Sequence, residues 1–98
     1  MKQKMKNAEQ VAELLKIIAH PIRLMVICLL REREYYALEI QEALGTTKGN
    51  ISQHMKILLM NKIIGKRHEA NRTYFSLKDK NLHKLIETME KIYCSCKE

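Results

Sequence analysis

The sequence predicts a mainly α domain with one β-hairpin, in the order α1-α2-α3-α4-β-β-α5. Three observations support this. Apolar residues recur at helical spacing in successive stretches. The single proline, Pro21, and a glycine, Gly45, separate those stretches. Two strand-like runs flank Ala70, Asn71 and Arg72, the tip of a hairpin. All 98 residues are used by one domain, with no internal repeat, low-complexity segment or Gly/Ser linker.

Val11, Leu14, Leu15 and Ile18 fall at i, i+3, i+4 and i+7, one stripe of a first helix over residues 8–19. His20 and Pro21 end it, and proline suits the first position of the next helix. From Ile22 the pattern Ile22, Met25, Val26, Leu29, Leu30 is again helical. Ile27 and Cys28 make this second helix apolar nearly all round, so it should be the buried centre. Charge takes over at Arg31 to Glu34. Ile40, Ala43 and Leu44 then mark a short third helix closed by Gly45 in a left-handed cap. Thr47 is a suitable N-cap for a fourth helix from Lys48 to about Asn61, with Ile51, Met55, Leu58 and Leu59 facing inward. Two short helices joined at a glycine, here residues 37–61, carry the helix-turn-helix signature, the second helix being the reader of a major groove. The strands, Ile63 to Glu69 and Thr73 to Leu77, form its wing (63–77). A last helix, residues 79–96 with Asp79 near its N-cap, presents one apolar stripe of Leu82, Leu85, Ile86, Met89 and either Ile92 or Tyr93. With no intramolecular partner left for that stripe, the first and last helices are expected to form a homodimer interface, which a chain this short would also use to enlarge its core. The fold expected is thus a winged helix-turn-helix.

Charge is unevenly spread. Six of the 18 Lys and Arg lie between Lys48 and Arg72, where Glu69 is the only acid, so this stretch carries +5 of the net +7. Residues 7–47 hold four bases and six acids and come out at −2. Localised positive charge on the helix-turn-helix and wing favours a polyanion, double-stranded DNA, as partner. The longest fully apolar run is four residues, Leu24 to Ile27, or seven with Cys28, Leu29 and Leu30, far short of the ~20 a membrane span needs. MKQKMK is followed by Asn7, Glu9 and Glu13 instead of an apolar stretch, so it does not read as a secretory signal, and the cytoplasm is the expected location. Three cysteines, an odd number, argue against a structural disulfide framework. No Ser/His/Asp constellation, glycine-rich phosphate loop or carboxylate pair is visible, and the thiols have no adjacent base; neither an enzyme nor a cofactor is expected.

HPIRL at 20–24, EIQEALGTTKGNISQHMKIL from Glu39 to Leu58 and KRHEANRTYFSL from Lys66 to Leu77 together resemble the ArsR/SmtB family of small dimeric bacterial repressors, over essentially the whole chain. SQH at 52–54 followed by an apolar residue is the most specific of these. The resemblance implies a repressor that leaves or loosens on its operator when an inducer binds. Ser52 and Gln53 can hydrogen-bond base edges, and family members use the matching positions in that way. Thr47, Lys48, Asn50, His54 and Lys56 complete the DNA-binding set on the fourth helix, with His54 ranked below Gln53 because a histidine beside an apolar face is more often half-buried. Lys48, Lys56, Arg67 and Arg72 suit phosphate or minor-groove contacts, which position the protein. Gly49 stands where many relatives carry serine and weakens the first turn by ~1 kcal/mol relative to alanine.

The cysteines bear on the inducer. One family metal site uses thiols on the third helix, which here reads ALEIQEAL; another uses Asp and His pairs on the last helix, where Asp79 and His83 are followed by no second histidine. Cys94 and Cys96 remain as ligands for arsenite or a soft metal, but two residues apart on a helix their sulfurs diverge by roughly 200°, so the tail would have to unwind. Cys28 in HPIRLMVICLL and Tyr93-Cys94 near the end also match the persulfide- and sulfide-sensing branch of the SqrR and BigR type. That branch implies derepression when reactive sulfur links Cys28 to Cys94, with Cys96 a spare resolving thiol or a second ligand. The alternative reading of Cys28 is core packing. From another class comes a winged helix acting as a protein-interaction module.

Overall fold

The computed structural model describes residues 2–93. Its elements are α1 (Lys2–Ile18), α2 (Pro21–Glu32), β1 (Tyr35–Tyr36), α3 (Ala37–Leu44), α4 (Lys48–Met60), β2 (Ile64–Glu69), β3 (Arg72–Leu77) and α5 (Lys80–Tyr93).

The helix boundaries follow the punctuation in the sequence. Pro21 opens α2, and the Ile22 N–H donates to Nδ1 of His20 at 3.1 Å. Gly45 closes α3 at φ +63, its N–H donating to the Gln41 carbonyl at 3.0 Å. The hydroxyl of Thr47 accepts the Asn50 N–H at 3.2 Å and caps α4, and the Asp79 carboxylate accepts the Asn81 N–H at 3.1 Å at the start of α5. The first helix differs from expectation, beginning at Lys2 instead of residue 8. Its opening Lys, Gln and Met residues are good helix formers, and no breaker interrupts them.

The hairpin belongs to a three-stranded antiparallel sheet ordered β1-β3-β2, with β3 at the centre and β2 at one edge. Glu69 pairs with Arg72 across a two-residue turn in which Ala70 and Asn71 both have positive φ, 50 and 69, the geometry of a type I′ turn. The third strand was not anticipated. Tyr35 pairs with Phe75 and Tyr36 with Tyr74, so the link between α2 and α3 is stitched onto the wing.

Val26, Ile27 and Leu30 of α2 lie at the centre of the core, against Ile40 of α3, Ile51, Met55 and Leu58 of α4, and Phe75 of the wing. Burying each such side chain is worth ~1.5–3 kcal/mol. On α2 the apolar residues do not all face inward: Met25 is exposed, and Cys28 and Leu29 are half-buried.

The last helix corrects an expectation. Leu82 and Ile86 are buried in the protein's own core, as is Ile18 at the end of α1. The apolar surface left outside is a second, narrower stripe: Leu85 and Ile92 on α5, and Met5, Val11 and Leu15 on α1, the last two 53% and 46% exposed. Each terminal helix thus has an inner stripe that belongs to the domain and an outer one that faces solvent.

Candidate nucleic-acid interface

Between α3 and α4 the chain runs Gly45-Thr46-Thr47, short enough to hold the two helices as one unit. The Asn50 side chain donates to the Thr46 hydroxyl at 3.0 Å, a second tie across the turn besides the Thr47 cap. At the other end of α3, the Glu39 carboxylate accepts the Tyr36 N–H at 3.0 Å and the Arg33 guanidinium at 3.3 Å, and it titrates below the usual carboxylate range for those two reasons in that order. Ile51, Met55 and Leu58 anchor α4 in the core. That leaves Lys48, Asn50, Ser52, Gln53 and Lys56 exposed, and all five are candidate contacts. Their placement makes the N-terminal half of α4 a solvent-facing polar and basic surface.

His54 lies at the edge of this surface and is half-buried, with its ring centroid 4.2 Å from that of His20. Its Nδ1 is out of water and has no hydrogen-bond partner among the described residues. Burial first, then the charges of His20 and Arg23, hold its imidazole below the usual histidine value. It joins the start of α2 to α4 and does not reach outward beside Gln53.

On the wing the strand alternation separates two basic residues. Lys66, opposite Phe75, faces the α3–α4 side; Arg67, opposite Tyr74, faces the other. Arg67 donates to the Glu34 carboxylate from Nε at 3.2 Å and from a terminal nitrogen at 2.7 Å, also pairs with Glu69, and lies 4.6 Å from the Tyr74 ring centroid. The Glu34 carboxyl is lowered by that hydrogen bonding, and the Arg67 guanidinium is raised. Arg67 ties the wing to the segment before α3, its charge matched by two carboxylates, while its side chain stays about half exposed. Arg72 stacks over the Tyr36 ring at 4.2 Å near the hairpin tip and is exposed. Lys66, counted in the sequence only as part of a basic run, is the basic wing residue directed at the α4 side; the period-2 alternation of a hairpin was the signal that could have separated it from Arg67.

Cys28 is half-buried and packs against the core on α2. One turn further along, Arg31 forms an ion pair with Glu90 of α5 and ties the two helices together. Cys94 and Cys96 lie outside the described residues. Among the described residues no group of three or more His, Cys, Asp or Glu side chains could hold a metal ion, and no helix is long and apolar enough to cross a membrane.

The sequence of residues 20–63 matches the description "Bacterial regulatory protein, arsR family". A biofilm growth-associated repressor from Agrobacterium fabrum is 34% identical over 93 residues, which cover 95% of this chain and 80% of that protein. The crystal structure of the transcriptional repressor BigR from Xylella fastidiosa superimposes with a TM-score of 0.87 at 29% identity, covering 96% of this chain and 97% of the other. Reduced HlyU from Vibrio cholerae does so with a TM-score of 0.90 at 26% identity, covering 96% and 99%. The shared helix-turn-helix and wing, over nearly the full length of both partners, are those of regulators and not of enzymes: this chain belongs to the arsR family of bacterial regulatory proteins.

Proposed function

We propose that the chain is a homodimeric repressor that binds a roughly palindromic operator through α4 and releases it when reactive sulfur links Cys28 to Cys94. The observation that carries the DNA reading is the division of α4: one face locked into the core by Ile51, Met55 and Leu58, the other offering Ser52, Gln53 and Asn50 between Lys48 and Lys56. Ser52 and Gln53 read base edges, and the lysines with Arg72 hold phosphates. The outer apolar stripes of α1 and α5 meet their counterparts in a second subunit and set the two α4 helices about one DNA turn apart, ~34 Å.

The switch follows from how α2 and α5 are joined. The Arg31–Glu90 pair holds the helices together three residues after Cys28 and, in sequence, four before Cys94. Cys28 thiolate attacks the outer sulfur of an organic persulfide, releasing the organic thiol and leaving a Cys28 persulfide. Cys94 then attacks its inner sulfur, so that a Cys28–Cys94 disulfide forms and hydrogen sulfide leaves. Linking α2 to the end of α5 shifts the helix-turn-helix against the dimer helices, and a coupling of ~1–3 kcal/mol is enough for useful regulation.

The test is release from an operator selected out of random DNA. Cys28→Ser is expected to bind that operator like the unaltered protein and to stay bound when a persulfide is added, whereas the unaltered protein dissociates. Persulfide-driven release of the serine variant would remove Cys28 from the switch.

A further inference from the structure

A groove of about 500 Å³ opens between α3, α4 and the wing, and nothing in the repressor reading uses its interior. Its floor is apolar: Ile40, Ile51, Met55 and Phe75, all nearly out of solvent, with Leu59 beside them. Leu38 stands at the rim, 51% exposed although it is a large aliphatic side chain on a short helix. The charged lining residues are Lys48, Lys56 and Lys66, and among the described residues no carboxylate lines the groove. Gln41 and Ser52 add neutral hydrogen-bonding groups. The volume lies within the ~300–1,000 Å³ typical of small-molecule sites. An apolar floor whose charged lining residues, among the described residues, are all lysines suits a ligand with an aliphatic body and one anionic head.

We propose that this groove binds an aliphatic carboxylate, its chain over Met55 and Phe75 and its head among the lysines, and that a bound carboxylate excludes DNA. Exclusion rests on the DNA reading above, because Lys48, Ser52 and Lys56 belong to both surfaces. The site itself does not. A neutral alcohol of the same length fills the floor but leaves the lysines without a counter-charge, so it binds at least about tenfold more weakly, the difference a charged hydrogen bond commonly makes.

The experiment follows the methionine methyl signals of the full chain by NMR while decanoate is added below its micelle concentration. Met55 lines the groove, whereas Met25 and Met60 are exposed elsewhere on the surface and serve as internal controls. A saturable shift of Met55 alone is expected, at least about tenfold weaker with decanol or in Lys66→Gln and lost in Leu38→Glu, whose new carboxylate stands at an already exposed rim position. At nine times its dissociation constant decanoate should weaken operator binding about tenfold for each groove that must be empty, about a hundredfold for a dimer that uses both α4 helices, by simple competition. No Met55 shift, equal shifts with decanol, or an undiminished shift in Leu38→Glu would overturn the site. Movement of Met55 with protein concentration alone would give the groove to a second copy of the chain and also overturn it. A Met55 response with unchanged operator affinity keeps the site and overturns exclusion, while an unliganded protein that ignores DNA defeats the repressor reading and leaves the site standing.

Discussion

His54 shows how one side chain can sit within a recognition motif and still act inward. It neighbours Gln53 in sequence, but its ring packs on His20 and its Nδ1 is shut off from water. The groups facing it are His20, at the N-cap of α2, and Arg23. Burial and these neighbours depress its titration, so the unfolded chain takes up this proton more readily than the folded one. The sign follows: the folded state keeps its full margin above about pH 6.5, the ordinary histidine value, and loses stability as pH falls below it. Thermal unfolding from about pH 7.5 down to 5.5 should show a falling Tm in the unaltered protein and a flatter profile in His54→Gln. Parallel profiles would mean that His54 does not carry the acid sensitivity. Arg67 is a related case, a basic residue in a basic stretch whose charge is paired with Glu34 and Glu69, contacts that the local sequence does not show.

At the scale of elements, α4 combines a firm anchor with a soft start. Gly49 lies in its first turn, and a Cβ built there meets nothing within 4 Å. Gly49→Ala should therefore stabilise the helix by ~1 kcal/mol, raising Tm by ~4–8 °C in a domain of this size. A fall in Tm would show that the turn needs glycine's freedom. The helices were legible in the sequence because periodicity and punctuation agree: Pro21, Gly45, Thr47 and Asp79 all stand at the ends they mark. β1 was not, because two tyrosines carry no periodicity and their pairing with Phe75 and Tyr74 is a long-range event. The inner stripe of α5 was misassigned for a similar reason. Leu82, Leu85, Ile86 and Met89 form one apolar band in sequence, and only the packed fold separates Leu82 and Ile86, which belong to the core, from Leu85, which faces outward. In the candidate site, the polar face of α4 was readable from helical spacing; the facing of Lys66 and Arg67 needed the strand register.

For the whole molecule, two surfaces of opposite character define the repressor reading. Apolar stripes on α1 and α5 face solvent, with Ile92 67% and Tyr93 83% exposed, and suit contact with a second subunit. The lysines of α4 and the wing lie on a stretch carrying +5, while residues 7–47 are net acidic, so a polyanion meets a polarised molecule. The measurement that tests DNA recognition most directly is fluorescence anisotropy of operator binding as a function of salt, for the unaltered protein and for Lys48→Gln/Lys56→Gln. About six phosphate contacts predict a log–log slope near −5, made shallower by about one for each phosphate contact the double variant loses. A slope near zero, or one unchanged in the double variant, would contradict the assignment of this face to DNA.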